Sequence, residues 1–152
     1  MNLAETGFRY FLRVRYHECD AQKIVFNSRY GDYIDLATTE YLRALGFGEA
    51  LINGSLDYRL VKQTTEWKAP ARFDDVLEVR VRCLRTGTTS FVVTSEFRVA
   101  STEPVLATAE TVYVCIDAAT LTKMMVTPAL RAALDRGAGN VVTDHAGYLR
   151  AT

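Results

Sequence analysis

The segment Ser28-Arg29-Tyr30-Gly31-Asp32-Tyr33-Ile34-Asp35-Leu36-Ala37-Thr38-Thr39-Glu40-Tyr41-Leu42-Arg43-Ala44-Leu45 decides the fold class. Tyr30, Tyr33, Ile34, Ala37, Tyr41 and Leu45 recur at three- and four-residue spacing. That spacing lays them in one apolar stripe along a helix about 25 Å long. Asn27 or Ser28 can cap it, Asp32 complements the dipole in its first turn, and Gly46 supplies a stop. An amphipathic helix must bury its stripe against a second layer, so the rest of the chain has to supply a surface.

That surface reads as a sheet. Before the helix, Tyr10, Leu12, Val14 and Tyr16 alternate with Arg9, Arg13 and Arg15, a period-two strand over Phe8 to Tyr16. After it, beyond Asn53-Gly54-Ser55, Leu56 to Ala69 reads as strand and ends at Pro70. Leu77, Val79, Val81 and Cys83 then alternate with Glu78, Arg80 and Arg82. Thr86-Gly87-Thr88 turns the chain into Phe91, Val93, Ser95, Phe97 and Val99. Val105 to Ile116 is apolar on both faces in its later half, as a central strand would be. Thr127-Pro128 predicts a short helix that Gly137 ends. Consecutive strands with short turns imply antiparallel pairing. The expected architecture is α+β, a long helix packed on an antiparallel sheet of about five strands. One domain spans 1–136, followed by a C-terminal tail, 137–152.

Composition narrows the function. The 152 residues are 49% hydrophobic and 24% charged, as in an ordinary globular domain. Eighteen basic residues balance eighteen acidic ones, whereas a nucleic-acid binder carries a basic excess. No run approaches the ~20 apolar residues of a membrane span. The N-terminal MNLAETGFRYFLRVRYH lacks a basic stretch followed by an apolar one, so no secretory signal is expected. Cys19, Cys83 and Cys115 form an odd set without a CxxC, which suits buried thiols in a reducing cytoplasm. His17, Glu18, Cys19 and the distant His145 match no zinc spacing, so no metal site is expected.

Chemistry concentrates in His17-Glu18-Cys19-Asp20-Ala21-Gln22-Lys23-Ile24-Val25-Phe26-Asn27, the loop that runs into the long helix. A helix N-terminus offers free backbone N–H groups at the positive end of a dipole. Such groups can hold the oxyanion that forms when a carbonyl is attacked. Asp20 precedes Asn27 by seven residues, close enough for the loop to fold its carboxylate beside that terminus. Carboxylate, aimed donors and apolar cleft make a minimal acyl-transfer site. The competing reading is that Asp20 only forms a turn. Asp35 is an alternative acid on the helix, and Tyr30, in the first turn, is the tyrosine nearest the reacting carbonyl.

At these residues the chain resembles the hotdog-fold acyl-CoA thioesterases, in particular the 4-hydroxybenzoyl-CoA thioesterase family. Asp20, Val25, Asn27, Tyr30, Asp35 and Ala37 match that family's motif, and WKAPARFDDVLEVRVR, GTTSFVV and VLATAETVYVCID resemble its successive strands. The resemblance implies a sheet wrapped around the helix, homodimers or homotetramers with sites between protomers, and an acyl-CoA substrate hydrolysed without a cofactor. It implies Asp20 as nucleophile or general base and the Asn27 backbone N–H as the donor to the thioester carbonyl. By position, Tyr30 in the first turn is a substrate contact, Ser90 either faces CoA or only begins a strand, and Arg82 and Arg85 are the candidates to meet the CoA phosphates.

One residue departs from the motif. Lys23 stands where the family commonly has Gly, a residue used for positive φ or close approach. Lys23 either reshapes the loop, places a cation beside Asp20, or marks a module that binds acyl-CoA without cleaving it. Hydrolysis of an acyl carrier protein thioester is the second alternative.

Overall fold

The computed structural model describes residues 7–150. Residues 1–6, which carry part of the signal-segment reading, and residues 151–152 of the tail lie outside the described residues.

Six strands form one sheet: β1 (Phe8–Arg13), β2 (Tyr58–Trp67), β3 (Val76–Thr86), β4 (Ser90–Val99), β5 (Val105–Cys115) and β6 (Val142–Asp144). Their order is β2-β5-β4-β3-β1-β6. Pairing is antiparallel throughout except for β6, which runs parallel to β1 with Arg9 opposite Val142. Four of the strand segments expected beyond the long helix are found within a few residues of their expected bounds. β5 lies inside the sheet, flanked by β2 and β4, as its two apolar faces require. The sixth strand comes from the tail. Tyr10 and His145 hold it in place through a 2.9 Å hydrogen bond, and Phe11 stacks on Tyr148 at 5.2 Å.

The long helix, α1 (Arg29–Leu42), lies across one face of the sheet. Tyr30, Tyr33, Ile34, Ala37, Tyr41 and Leu42 are buried, and they meet Phe8, Val79, Phe91, Val93, Phe97 and Tyr113 in a single core. Each fully buried large side chain contributes about 1.5–3 kcal/mol of transfer free energy, so the stripe fixes the helix on the sheet. Tyr30 packs edge-on against Phe97 at 5.1 Å, and Tyr41 meets Phe8 at 5.8 Å. These contacts set the N-terminus of α1 over the Trp67 end of β2 and its C-terminus over the other end.

Two local expectations need correction. Neither Asn27 nor Ser28 caps α1. Ser28 occupies the cap position with helical dihedrals (φ −64, ψ −23) and makes no side-chain cap bond. Gly46 does not end the helical run either. Its φ of 102 bends it, and a wide turn over Arg43–Phe47 leads into a short α2 (Gly48–Asn53). Glycine is needed there because the left-handed region is costly for any residue with a Cβ. The other helix signal holds: Thr127 Oγ1 accepts the Leu130 N–H at 3.1 Å, starting α3 (Pro128–Arg136).

All three cysteines are free thiols. Among the described residues no helix is long and apolar enough to cross a membrane.

Candidate active site

The loop between β1 and α1 folds back on itself. A single 3₁₀ turn over Tyr16–Glu18 follows β1, and Cys19 then pairs antiparallel with Val25. Asp20 closes the segment between them. Its Oδ1 accepts the backbone N–H groups of Gln22 at 2.8 Å and Ile24 at 3.2 Å, while its own N–H donates to the Ile24 carbonyl at 2.9 Å. Asp20 is half-buried, and Oδ2 has no partner among the described residues. The turn is closed through one carboxylate oxygen, and the other is left available.

Lys23 has φ 62, the left-handed conformation that glycine provides without strain. Its N–H donates to the Asp20 carbonyl at 2.9 Å, and its carbonyl accepts from the Phe73 N–H at 2.9 Å. The lysine keeps the backbone path of a glycine turn. Its side chain is exposed and joins no ion pair among the described residues, so it does not sit on Asp20 as a counter-ion.

Behind this loop lies a carboxylate that the sequence reading did not single out. Glu18 is 2% exposed. It accepts the Arg15 backbone N–H at 2.8 Å, the Arg15 guanidinium at 2.9 Å and the Tyr33 hydroxyl at 3.0 Å. Burial works to raise its pKa, but these donors outweigh burial and hold it below the ordinary carboxyl value. The glutamate also fixes the chain: its carbonyl accepts the Phe26 N–H at 3.0 Å. A buried Glu three residues after Arg15 carries no periodic signature. Only its adjacency to the motif Asp could have drawn attention to it.

A cleft of about 510 Å³ opens where α1 begins, lined by Asn27, Ser28, Tyr30, Gly31, Gln63, Thr64, Thr65 and Trp67. The backbone N–H groups of Asn27 and Ser28 have no acceptor among the described residues. They stand at the positive end of α1, where such donors favour a partial negative charge. Tyr30 contributes its ring, edge-on to Trp67 at 6.1 Å. Burial raises its hydroxyl pKa, and that hydroxyl hydrogen-bonds the Ala71 backbone rather than turning outward. Gln63 and Trp67 line the cleft but are not among the site residues expected from the sequence.

Within one chain, Asn27 and Tyr30 are brought to the cleft and Asp20 lies on the loop that leads into it, outside the lining. Arg82 and Arg85 lie on the opposite face of the sheet. They line a shallow cup of about 720 Å³ with Lys62, Arg80, Glu96 and Glu110. Arg85 pairs there with Glu110 at 3.5 Å. Ser90 starts β4 beside the β3–β4 turn, at the end of the sheet away from the start of α1. Asp35 is exposed on α1; desolvation and then Asp32 raise its pKa.

A long helix laid across a mostly antiparallel sheet places the chain in the hotdog fold class. The sequence profile of the thioesterase-like superfamily matches residues 14–134, and the chain belongs to that superfamily as a thioester hydrolase. It is 35% identical over 113 residues to the acyl-CoA thioester hydrolase YbgC of Escherichia coli, covering 74% of this chain and 84% of that one. It is also similar to the solved BH1999 gentisyl-coenzyme A thioesterase, with TM-score 0.74 and 27% identity over 83% of this chain and 98% of the other. The PA5185 protein of Pseudomonas aeruginosa shares the fold at TM-score 0.80 and 21% identity, over 90% and 95% of the two chains.

Proposed function

We propose that the protein is a cytoplasmic acyl-CoA thioesterase whose reacting carbonyl sits on the start of α1. The observation that carries this reading is that Asn27 and Ser28, which line a cleft beside the Asp20 loop, both have backbone N–H groups without an acceptor among the described residues. The thioester oxygen would accept from these donors and draw more from them as negative charge develops, an effect worth about 10²–10³ in rate per donor. Asp20 then acts in one of two ways. Its carboxylate attacks the carbonyl carbon, the C–S bond breaks, CoA leaves and water cleaves the acyl-aspartyl anhydride. Or it takes a proton from a water that attacks directly.

The site is completed, in this reading, by a second copy of the chain. β2 is an edge strand of ten residues with Leu60, Val61 and Trp67 exposed, a surface that a lone chain does not leave bare at no cost. A two-fold axis at that edge pairs β2 antiparallel with itself. The Trp67 end of one copy, with its cleft, then faces the Tyr58 end of the other. Tyr58 packs against Phe91 at 5.9 Å, so the partner's Ser90 and Arg85 lie at that end. They are the groups we assign to CoA, with Arg82 further along the same face.

The test is thiol release from aryl, short, medium and long acyl-CoAs and from an acyl carrier protein thioester, comparing wild type with Asp20→Asn. Asparagine keeps the oxygen that closes the loop. Turnover on acyl-CoA that falls at least about a hundredfold in the variant supports the reading. Unchanged turnover removes Asp20 and turns attention to Asp35. Saturable binding without turnover identifies an acyl-CoA-binding module, and turnover confined to the carrier thioester identifies the other hydrolase.

A further inference from the structure

The register of β2 changes part-way along. Tyr58 lies opposite Cys115 and Leu60 opposite Tyr113, but Lys62 lies opposite Val112 and Gln63 opposite Thr111. Val61 is the extra residue of a β-bulge. Its consequence is a change of face: beyond it Gln63, Thr65 and Trp67 turn toward α1, while Lys62, Thr64 and Glu66 turn toward the outer cup. Without the bulge a lysine and a glutamate would point at the start of the helix. Bulges re-aim side chains in this way beside functional sites.

Gln63 is held firmly in that position. Its Nε2 donates to Thr111 Oγ1 at 3.1 Å, and Thr111 is completely buried. The carboxamide Oε1 has no partner among the described residues. It stands at the first turn of α1, 3.8 Å from where a Cβ on Gly31 would lie, inside the cleft that holds the Asn27 and Ser28 N–H groups. One end of the amide is anchored in the core and the other offers a lone pair to the cleft.

We propose that Gln63 is a specificity-determining residue that accepts a hydrogen bond from a donor on the bound thioester. The inference rests on the reacting carbonyl lying at the start of α1. The donor has two sources, a hydroxyl on the acyl group or the pantetheine amide N–H nearest the sulfur. A site built around a hydrogen bond rejects ligands that cannot form it. Thr111 acts through Gln63 as a positioning residue.

Wild type, Gln63→Met and Thr111→Val are compared on 3-hydroxybutyryl-CoA, butyryl-CoA, the butyryl thioester of N-acetylcysteamine, and S-butyl thiobutyrate. Methionine has similar length and no acceptor of comparable strength. For an acyl-borne donor, Gln63→Met loses about tenfold in kcat/KM on 3-hydroxybutyryl-CoA and little on the other three. For the pantetheine amide, it loses about tenfold on every substrate except S-butyl thiobutyrate. Thr111→Val shifts the same ratios in the same direction, and a thermal melt shows whether each variant is folded. Ratios that stay within about twofold of wild type in a folded, active Gln63→Met overturn the proposal, while a large loss in Asp20→Asn leaves the hydrolytic reading standing. If wild type cleaves none of the four but turns over aryl or longer acyl-CoAs, the hydrolytic reading stands; if it turns over no acyl-CoA at all, that reading fails. Calorimetric affinities of the three proteins for S-butyl-CoA and S-(3-hydroxybutyl)-CoA then decide the role of Gln63 by the same ratios.

Discussion

Tyr33 donates its hydroxyl hydrogen to Oε1 of Glu18 across 3.0 Å, joining the second turn of α1 to the loop that carries Asp20. The same oxygen receives the Arg15 N–H, and Oε2 receives the Arg15 guanidinium. This cluster sets where the start of the helix stands relative to the loop. Glu18→Gln turns one acceptor oxygen into a donor facing donors, and the expected loss of stability is about 1–3 kcal/mol. The pH dependence follows from the lowered carboxyl pKa of Glu18. Its stabilisation is fully present above the unfolded carboxyl value of about 4.3 and is lost as pH falls through the lower folded value. Melting temperatures of wild type and Glu18→Gln should therefore differ most near neutrality and converge in acid below about pH 4. A gap that stays constant to low pH would show that the charge of Glu18 contributes nothing.

Lys23 separates two consequences of one departure from the family motif. Because its backbone already takes φ 62, Lys23→Gly should leave the loop and its bonds to Asp20 and Phe73 unchanged. Relief of the left-handed strain, set against the extra freedom of glycine in the unfolded chain, should stabilise the protein by up to about 1 kcal/mol. Turnover should stay within about threefold, since general-base or oxyanion losses would be far larger. Urea denaturation and thiol release check both. A variant that is much more active would mean that the lysine side chain obstructs the cleft.

Asp20 has a structural role that can be read apart from the catalytic one proposed for it. Asp20→Ala removes the acceptor for the Gln22 and Ile24 N–H groups, whereas Asp20→Asn keeps it. The alanine variant should lose about 1–2 kcal/mol of stability relative to the asparagine variant. Both should be equally impaired in turnover. Equal stabilities would show that the loop is closed by its backbone bonds alone.

How much of this was legible before the structure differs from element to element. The α1 stripe was legible because Tyr30, Tyr33, Ile34, Ala37 and Tyr41 all had to reach one surface, which forces a 3.6-residue period onto the sequence. The interior position of β5 followed from its two apolar faces. The Val61 bulge was not legible, because Leu60-Val61-Lys62 satisfies either register and only the partner strand chooses between them. β6 was equally hidden: three residues have no periodicity to display, and they become a strand only because β1 offers a free edge. Asn27 and Tyr30 could be named as candidates because a helix start carries free N–H groups, because the family resemblance points to Asn27, and because Tyr30 lies in the first turn. The placement of Arg82 on the far face follows from strand alternation. Arg85, three residues on, reaches the same face only through the register shift between Cys83 and Arg85, which the sequence does not display. The use proposed for both by a second copy depends on an edge that one sequence cannot pair.

The proposed pairing of two β2 edges can be tested through mixed dimers. If each site takes Asp20 from one chain and Arg85 from its partner, Asp20→Asn and Arg85→Ala are defects of different halves of one site. Each homodimer then has two damaged sites. A mixed dimer has one site carrying both defects and one carrying neither. Equal amounts of the two variants, unfolded together and refolded, form mixed dimers as half of the population, so at acyl-CoA concentrations well below KM about a quarter of wild-type activity should return. Arg85→Ala alone should chiefly raise KM for CoA esters and spare N-acetylcysteamine thioesters, because it removes a phosphate contact and leaves the reacting carbonyl untouched. Placing a charge on the exposed edge, as in Leu60→Lys, should convert the protein to monomer by light scattering and abolish activity together with the dimer. Activity that adds without recovery on mixing would place both residues in one chain, and an active monomer would remove the edge of β2 from the site.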